Sequence, residues 1–206
     1  MDTIFLLSPA RCDGRRAKVL LSLNASFELA TRVRSDGGPI GEVFSFLSGL
    51  YFRGKVAYAR AFGRRAEDRP TSFVITTERG LVTLDTLVTR QDLLAFADVD
   101  LARGSQRFVG PLARDVERLA EDLSASARIV LLGSIATGKY VDTLTAIFGE
   151  RLLFPEAFVG RGDMSRGGLM LRSTADMREL TYRPVTGAVR HGKRPPKLEP
   201  RRYSAR

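Results

Sequence analysis

Hydroxyl and guanidinium side chains lie at or just after the ends of three runs, apolar or β-branched, that predict strands. They are Ser8 and Arg11 after Ile4–Leu7, Thr77 at the end of residues 72–77, and Ser134 and Thr137 after residues 128–132. The carboxyl ends of parallel strands share one edge of a sheet, and α/β proteins bind their ligands at that edge. We therefore expect these five residues to line one polar cleft as ligand-binding groups.

A glycine-rich segment, residues 160–168, predicts a loop at the border of that cleft. Its glycines permit close approach of the backbone to a ligand, and Arg161 and Arg166 add two cations that could bind it. Asp163 is the only carboxylate in the segment, so it is the predicted catalytic residue, as a general base or a water-orienting group. One alternative is a salt bridge between Asp163 and either arginine. The other is a hairpin-like surface connection.

Residues 133–140 resemble a phosphate-binding loop. They follow an apolar run, precede a predicted helix and match the pattern G-x-x-x-x-G-K. Tyr140 stands where the pattern needs the small hydroxyl that binds magnesium, so we expect no hydrolysis of ATP or GTP. A strand-to-helix turn still offers backbone N–H groups to an anion.

The pattern of the whole chain predicts an α/β fold that could position these groups. Apolar residues between Val109 and Leu123 recur at spacings of 1 and 3, which is typical of an amphipathic helix. Residues 42–62 also favour a helix, broken by Gly49 and Gly54. Strands and helices alternate, which favours a mainly parallel central sheet flanked by helices. Short late strands are predicted after residue 168, at 169–172 and 180–185.

Positive charge is concentrated at the end of the chain. The net charge is +10, of which residues 190–206 carry +6. We predict one α/β domain over residues 1–189 and a disordered tail over residues 190–206, because the prolines of the tail oppose regular structure. Phosphate contacts are predicted for Arg190, Lys193, Arg194, Lys197, Arg201 and Arg202. The alternative is an arginine-rich composition without a specific role.

The cysteine and apolar content bears on location and cofactors. Cys12 is the only cysteine of the 206 residues, so the chain cannot form an internal disulfide. It lacks an apolar stretch of the ~20 residues that cross a membrane, and Asp2 is atypical of an export signal. We therefore expect a cytoplasmic protein with no membrane partner, and we predict neither a metal nor a cofactor.

Cys12 beside Arg11 could be a reactive thiol, or a small buried residue.

Aromatic and cationic residues alternate between Tyr51 and Arg60. Tyr51 and Tyr58 could stack on bases while Arg53, Lys55 and Arg60 contact phosphates. Their helical spacing favours the other interpretation, in which the tyrosines are core residues and the cations lie on the wet face.

Several short blocks resemble a family of small bacterial proteins that is mostly without assigned function. They are Leu7-Ser8, Leu50-Tyr51, Lys55 with Ala57-Tyr58-Ala59, residues 74–82, Asp85-Thr86 with Asp92, and Val130–Gly133. That family is similar to peroxide-stress DNA-binding proteins and to a domain of archaeosine tRNA-modification enzymes, which are related in fold to uracil-DNA glycosylases. The resemblance implies a nucleic-acid partner and assigns no catalytic residue. It does not extend to residues 160–168 or to the tail.

Three hypotheses follow for function. The first is a nucleic-acid-associated protein of the glycosylase-like α/β class that binds a nucleobase or acts on it. The second is a nucleic-acid-binding or stress-response protein without catalysis. The third is a small-molecule enzyme that uses the turn at Gly133 to bind phosphate. The sequence leaves open whether the protein is an enzyme and what its oligomeric state is.

Overall fold

The computed structural model describes residues 1–66, 69–99, 106–138 and 140–199. The strands are β1 Thr3–Leu7, β2 Gly38–Pro39, β3 Ser72–Ile75, β4 Leu81–Thr83, β5 Leu87–Val88, β6 Arg128–Leu132, β7 Leu152–Pro155 and β8 Tyr182–Pro184. The helices are α1 Arg15–Leu20, α2 Glu28–Arg34, α3 Ile40–Ser48, α4 Leu50–Phe62, α5 Arg90–Asp98, α6 Gln106–Glu121, α7 Val141–Phe148 and α8 Asp163–Ala175.

The central sheet has the strand order β4-β3-β1-β6-β7-β8. Strands β3, β1, β6 and β7 run parallel, and β4 and β8 are antiparallel strands at the two edges. The predicted α/β fold with a mainly parallel sheet is confirmed. The chain passes from β1 to β3 on one side and later to β6 on the other, so the connections change direction next to β1.

The two central strands of the sheet, β1 and β6, are mainly apolar because both faces of the sheet are covered. In β1, Phe5 and Leu7 belong to one apolar core, while Ile4 and Leu6 belong to a second core on the opposite face. Successive side chains of a strand point to opposite faces, so an uninterrupted apolar run serves both cores. Helices α3, α4 and α5 contribute to the first core, and α6 and α7 to the second.

The amphipathic pattern after Val109 is confirmed, since α6 buries Phe108, Leu112, Val116 and Leu119. Gly49 separates α3 from α4, with a positive φ of 61° that favours glycine. Gly54, expected to break the helix, lies instead inside α4. A Cβ atom at Gly54 would lie 2.7 Å from the main-chain oxygen of Gly167 in α8, so this glycine serves a close helix crossing.

Two predictions near the end of the chain differ from the structure. Residues 169–172, predicted as a strand, lie in α8, because Gly167 packs against the backbone of α4 and the segment runs on as a helix. Residues 190–199 contain no regular element, but they are not a free tail. Arg161 and Arg172 bind the main-chain oxygens of Pro196 and Glu199, which holds the segment along α8. The late strand at residues 180–185 is present as β8.

No helix in the described ranges is both long and apolar enough to span a bilayer.

Candidate functional site

A polar cleft lies at the carboxyl edge of the sheet, beside the point where the connections change direction. One cavity of about 650 Å³ is lined by all five residues predicted to bind ligand, namely Ser8, Arg11, Thr77, Ser134 and Thr137. A second cavity of about 480 Å³ shares several of these residues and adds Tyr51 and Asp163. Because the two cavities have Ser8, Arg11 and Ser134 in common, we treat them as one site, the carboxyl-edge cleft.

Ser8 lies at the centre of this cleft and contacts a lysine beneath it. The Nζ atom of Lys55 donates to the main-chain oxygen of Ser8 at 2.9 Å and lies 2.7 Å from its Oγ atom. Ser8 is 6% exposed and Lys55 is 1% exposed. Helix α4 supplies the lysine and the end of β1 supplies the serine, so the contact joins a helix of the first core to the central strand.

Burial changes the acid–base behaviour of Lys55. Loss of hydration disfavours its charged form and lowers its pKa to about 7, an effect that Arg166 reinforces and Asp163 opposes. None of the described carboxylates forms an ion pair with its Nζ atom. A substantial share of the lysine is therefore neutral at neutral pH. A neutral amine has a lone pair that can accept the Ser8 hydroxyl proton, while one N–H still donates to the Ser8 main-chain oxygen.

Two tyrosines enclose the Ser8–Lys55 pair. The Nζ atom of Lys55 lies 4.0 Å from the centre of the Tyr51 ring, and the Tyr140 hydroxyl lies beside the Ser8 side chain and donates to the main-chain oxygen of Ser134 at 3.2 Å. Burial raises the pKa of both hydroxyls. The Tyr51 side chain lines the cleft, whereas its hydroxyl is buried beside the Arg166 guanidinium.

Glycine is required at position 133 to form this arrangement. A Cβ atom there would lie 2.8 Å from the Cβ atom of Ser8 and 3.0 Å from the Tyr140 hydroxyl oxygen. The residues that match a phosphate-binding loop therefore have structural roles. Gly133 leaves space for Ser8, and the Tyr140 hydroxyl bonds to the main-chain oxygen of Ser134 within the turn. Lys139, the lysine of that pattern, lies outside the described residues.

Asp163 begins helix α8 and lines the cleft. The predicted glycine-rich loop is wrong over residues 163–168, which form the first turns of this helix. The Oδ1 atom of Asp163 lies 3.7 Å from the Arg166 guanidinium, and the aspartate side chain is 69% exposed. The structural alternative for Asp163, an ion pair with Arg166, is therefore present. Its position in the cleft leaves its predicted catalytic role as a prediction.

The two arginines predicted to bind ligand beside Asp163 have structural contacts. Arg161 donates to the main-chain oxygens of Ala157 and Pro196 and to the Ser165 hydroxyl, and it does not line either cavity of the cleft. Arg166 is largely buried and donates to the main-chain oxygen of Phe158. Arg161 thus holds the tail segment, while Arg166 acts on the site through its charge.

The hydroxyls of the other loops differ in how far they are engaged. The Thr77 hydroxyl donates to the main-chain oxygen of Phe96 at 2.9 Å, so it faces a ligand only as an acceptor. The Oγ atom of Ser134 accepts from the backbone N–H of Ala136, which leaves its own hydrogen to donate. Thr137 is exposed at the mouth of the cleft.

Arginines that the sequence did not single out complete the cleft. Arg15 and Arg16 line it next to Arg11, and all three are exposed. Arg11 forms a 2.8 Å ion pair with Asp13, and Arg16 donates to the main-chain oxygen of Phe46. Their guanidinium groups form a basic rim, which we call the arginine rim. Its signal in the sequence was the run of Arg11, Arg15 and Arg16 directly after the first strand.

Cys12 is a buried residue and not a reactive thiol. Its pKa is raised to about 12, first by burial and then by the charge of Asp13, and its Sγ atom contacts the main-chain oxygen of Ala10. The thiolate that a reactive cysteine needs is therefore scarce at neutral pH.

The tail residues divide into two groups. Lys193, Arg194 and Lys197 are exposed, while Arg190 lies 3.5 Å from a carboxylate oxygen of Asp142 at the start of α7. Arg201 and Arg202 lie outside the described residues. A stretch of exposed cations therefore follows Arg190 along the surface next to α8.

In the ranges that the structure describes, no group of three His, Cys, Asp or Glu side chains is arranged to hold a metal ion.

Comparison of the chain with models of protein families, with curated proteins and with solved structures gives no match. The resemblance to the peroxide-stress and archaeosine-related proteins therefore stays a prediction, and the functional argument depends on the geometry of the cleft.

Proposed function

We propose that this protein is a nucleic-acid-associated protein that takes a nucleotide unit into the carboxyl-edge cleft and binds its base or acts on it. The observation that carries the proposal is that the loops after β1, β3 and β6 form one cleft in which small hydroxyl side chains lie below exposed arginines. Ligands of α/β proteins bind where the strand connections change direction.

The arginine rim suits the phosphate of such a ligand. A guanidinium group is planar, keeps its charge and offers several N–H donors, so it binds phosphate oxygens in pairs. Arg15 and Arg16 begin α1 and line the same cavity as Arg11. The exposed cations at Lys193, Arg194 and Lys197 would contact further phosphates of a longer strand.

The interior of the cleft suits a base. Its volume of about 650 Å³ lies within the ~300–1,000 Å³ typical of small-ligand sites. The hydroxyl of Ser134 can bond to the polar edge of a base, and Phe96 adds an apolar wall. A cytoplasmic location would suit this role and would keep the buried thiol of Cys12 reduced.

Fluorescence anisotropy at low salt would test the proposal, with labelled single-stranded DNA, duplex DNA and RNA as probes. We expect wild type to bind at least one of them, and Arg15→Gln with Arg16→Gln to weaken binding at least 10-fold. The matched control is Arg60→Gln with Arg118→Gln, since both arginines are exposed on other helices. Absence of binding, or equal weakening by both pairs, would contradict the proposal.

Competition experiments would distinguish recognition of the base from recognition of the phosphate. Nucleoside monophosphates should displace the labelled strand more effectively than inorganic phosphate or ribose 5-phosphate, because only they can fill the interior. Equal displacement by ribose 5-phosphate would show that the base is not bound and would favour a small-molecule phosphate enzyme.

A further inference from the structure

We propose that Ser8 is a nucleophile, that Lys55 is its general base, and that the pair attacks the phosphorus atom of a phosphate ester held by the arginine rim. The substrate class depends on the proposed binding of nucleotides, whereas the reactivity of Ser8 does not.

The geometry of the pair is that of a nucleophile and its base. The distance of 2.7 Å between Lys55 Nζ and Ser8 Oγ is within the range needed for proton transfer. The base lies beneath the serine and away from the cleft, whereas Ser8 lines both cavities. A hydroxyl activated from behind in this way presents its oxygen to the ligand, as in enzymes that pair serine with lysine.

A purely structural role for Lys55 explains this geometry less well. A lysine kept only to bind the end of β1 needs the main-chain oxygen of Ser8, and it has that bond at 2.9 Å. The second contact places the amine against the side-chain oxygen of Ser8, a residue that lines both cavities, and binding the end of β1 does not require it. Glycine at position 133 also keeps this space open, because a larger residue would displace Ser8 and Tyr140.

The proposed reaction balances in two steps. In the first, neutral Lys55 takes the proton of the Ser8 hydroxyl and Oγ bonds to phosphorus. The bond from phosphorus to the leaving oxygen then breaks with its electron pair, and that oxygen takes a proton from water. In the second, water attacks the phosphoserine, the bond between phosphorus and Oγ breaks, Lys55 returns the proton to Ser8, and the proton of the water goes to solvent. The guanidinium groups of the rim would stabilise the negative charge on the phosphate oxygens.

The charged and titratable groups around Lys55 predict a reaction that depends on pH. Asp163 and Arg166 face it from α8 and Tyr51 from α4, while Tyr140 lies beside Ser8 in the turn before α7. Both tyrosines stay neutral near pH 7, because burial raises their pKa values. The rate of attack should therefore rise through pH 7 as Lys55 loses its proton, and level off above it.

An alkyl fluorophosphonate, which has a phosphorus centre and a fluoride leaving group, would test the pair in the full-length protein. Intact-mass and peptide mass spectrometry should locate one adduct on Ser8, with a labelling rate that rises through pH 7. Ser8→Ala should abolish the adduct. Lys55→Met should slow labelling at least about 100-fold, as expected for loss of a general base. The control is Lys18→Met, since Lys18 is exposed on α1.

Absence of the Ser8 adduct, or labelling of Lys55→Met at the wild-type rate, would overturn the proposal. If Lys55→Met does not fold, the wild-type pH profile decides, because a profile without an inflection near pH 7 excludes Lys55 as the base. Nucleoside monophosphates should protect Ser8 from labelling. Labelling of Ser8 without protection would contradict nucleotide binding but support Ser8 as the nucleophile. Nucleotide binding without labelling would support the proposed function but contradict Ser8 as the nucleophile.

Discussion

The Nζ atom of Lys55 lies 2.7 Å from the Oγ atom of Ser8, although 47 residues separate the two in the chain. The contact forms only because α4 packs on the face of the sheet beside the end of β1. It brings the one fully buried lysine of the described residues to the carboxyl edge of the sheet.

The first prediction concerns the effect of this lysine on stability. Its pKa is lowered from 10.5 in the unfolded chain to about 7 in the fold. Between these values the unfolded chain binds more protons, so the free energy of unfolding should rise with pH by up to about 1.4 kcal/mol per unit from this group. The free-energy cost of burying Lys55 is fully present below pH 7, where the folded protein must bind the proton, and absent above pH 10.5.

Urea unfolding of wild type and Lys55→Met between pH 7 and 9.5 would measure this contribution as a difference in slope. The upper limit avoids the range in which the buried tyrosines begin to ionise. Lys18→Met is the matched control and should keep the wild-type slope. A Lys55→Met protein with the same pH dependence as wild type would show that Lys55 stays charged in the fold.

The second prediction concerns Asp163, whose charge favours the protonated form of Lys55. Asp163→Asn should lower the pKa of Lys55 further and move the inflection of Ser8 labelling to lower pH. Asp36→Asn, at an exposed position away from the cleft, should leave it unchanged. If Asp163 is instead the general base, as its sequence position suggested, Asp163→Asn should slow labelling at every pH without moving the inflection.

The third prediction tests the crossing of α4 and α8. A Cβ atom at Gly167 would lie 2.6 Å from the main-chain oxygen of Leu50 and 2.8 Å from the Cα atom of Tyr51. Gly167→Ala should therefore destabilise the protein by about 1–3 kcal/mol. Gly110→Ala, in α6 with nothing within 4 Å, should instead stabilise it by up to about 1 kcal/mol. Thermal unfolding of both variants measures the contrast, and equal effects would show that the crossing is looser than described.

The fourth prediction concerns the exposed cations of the tail. If Lys193, Arg194 and Lys197 each contact a phosphate of duplex DNA, changing all three to glutamine should reduce the slope of log affinity against log salt by about 2.7. This variant keeps the contacts of the Pro196 and Glu199 main-chain oxygens with Arg161 and Arg172, which a truncation would remove. An anisotropy titration between 50 and 200 mM salt measures the slope, and an unchanged slope would exclude these residues from the interface.

The central strands could be predicted because their signal is local. Ile4–Leu7 and residues 129–132 are apolar throughout, and a strand with both faces covered needs nothing else. The grouping of Ser8, Thr77 and Ser134 in one cleft followed from parallel topology alone. Both inferences depend on the direction of the chain and on the pattern of apolar residues, which a sequence shows directly.

The roles of Gly167 and Lys55 could not be predicted from local pattern. Glycine lowers helix propensity, so residues 160–168 indicated a loop, and only contact with α4 explains why a helix forms there. The alternation of tyrosines and cations predicts Lys55 on the solvent-exposed face of its helix, whereas the residue is buried. Its spacing from Tyr51 and Tyr58, at i+4 and i−3, places it on their buried face, and that was the available signal. That spacing does not identify the partner of Lys55, because Ser8 is distant in sequence.

The order of the chain has a consequence for when the cleft becomes reactive. Ser8 and Lys55 are synthesised before α8, which covers α4 at Gly54 and supplies Asp163 and Arg166. Before α8 docks, water reaches Lys55 and the amine keeps its proton. A nascent chain without α8 would therefore carry the serine in an inert form, and this helix would have to dock before any chemistry begins.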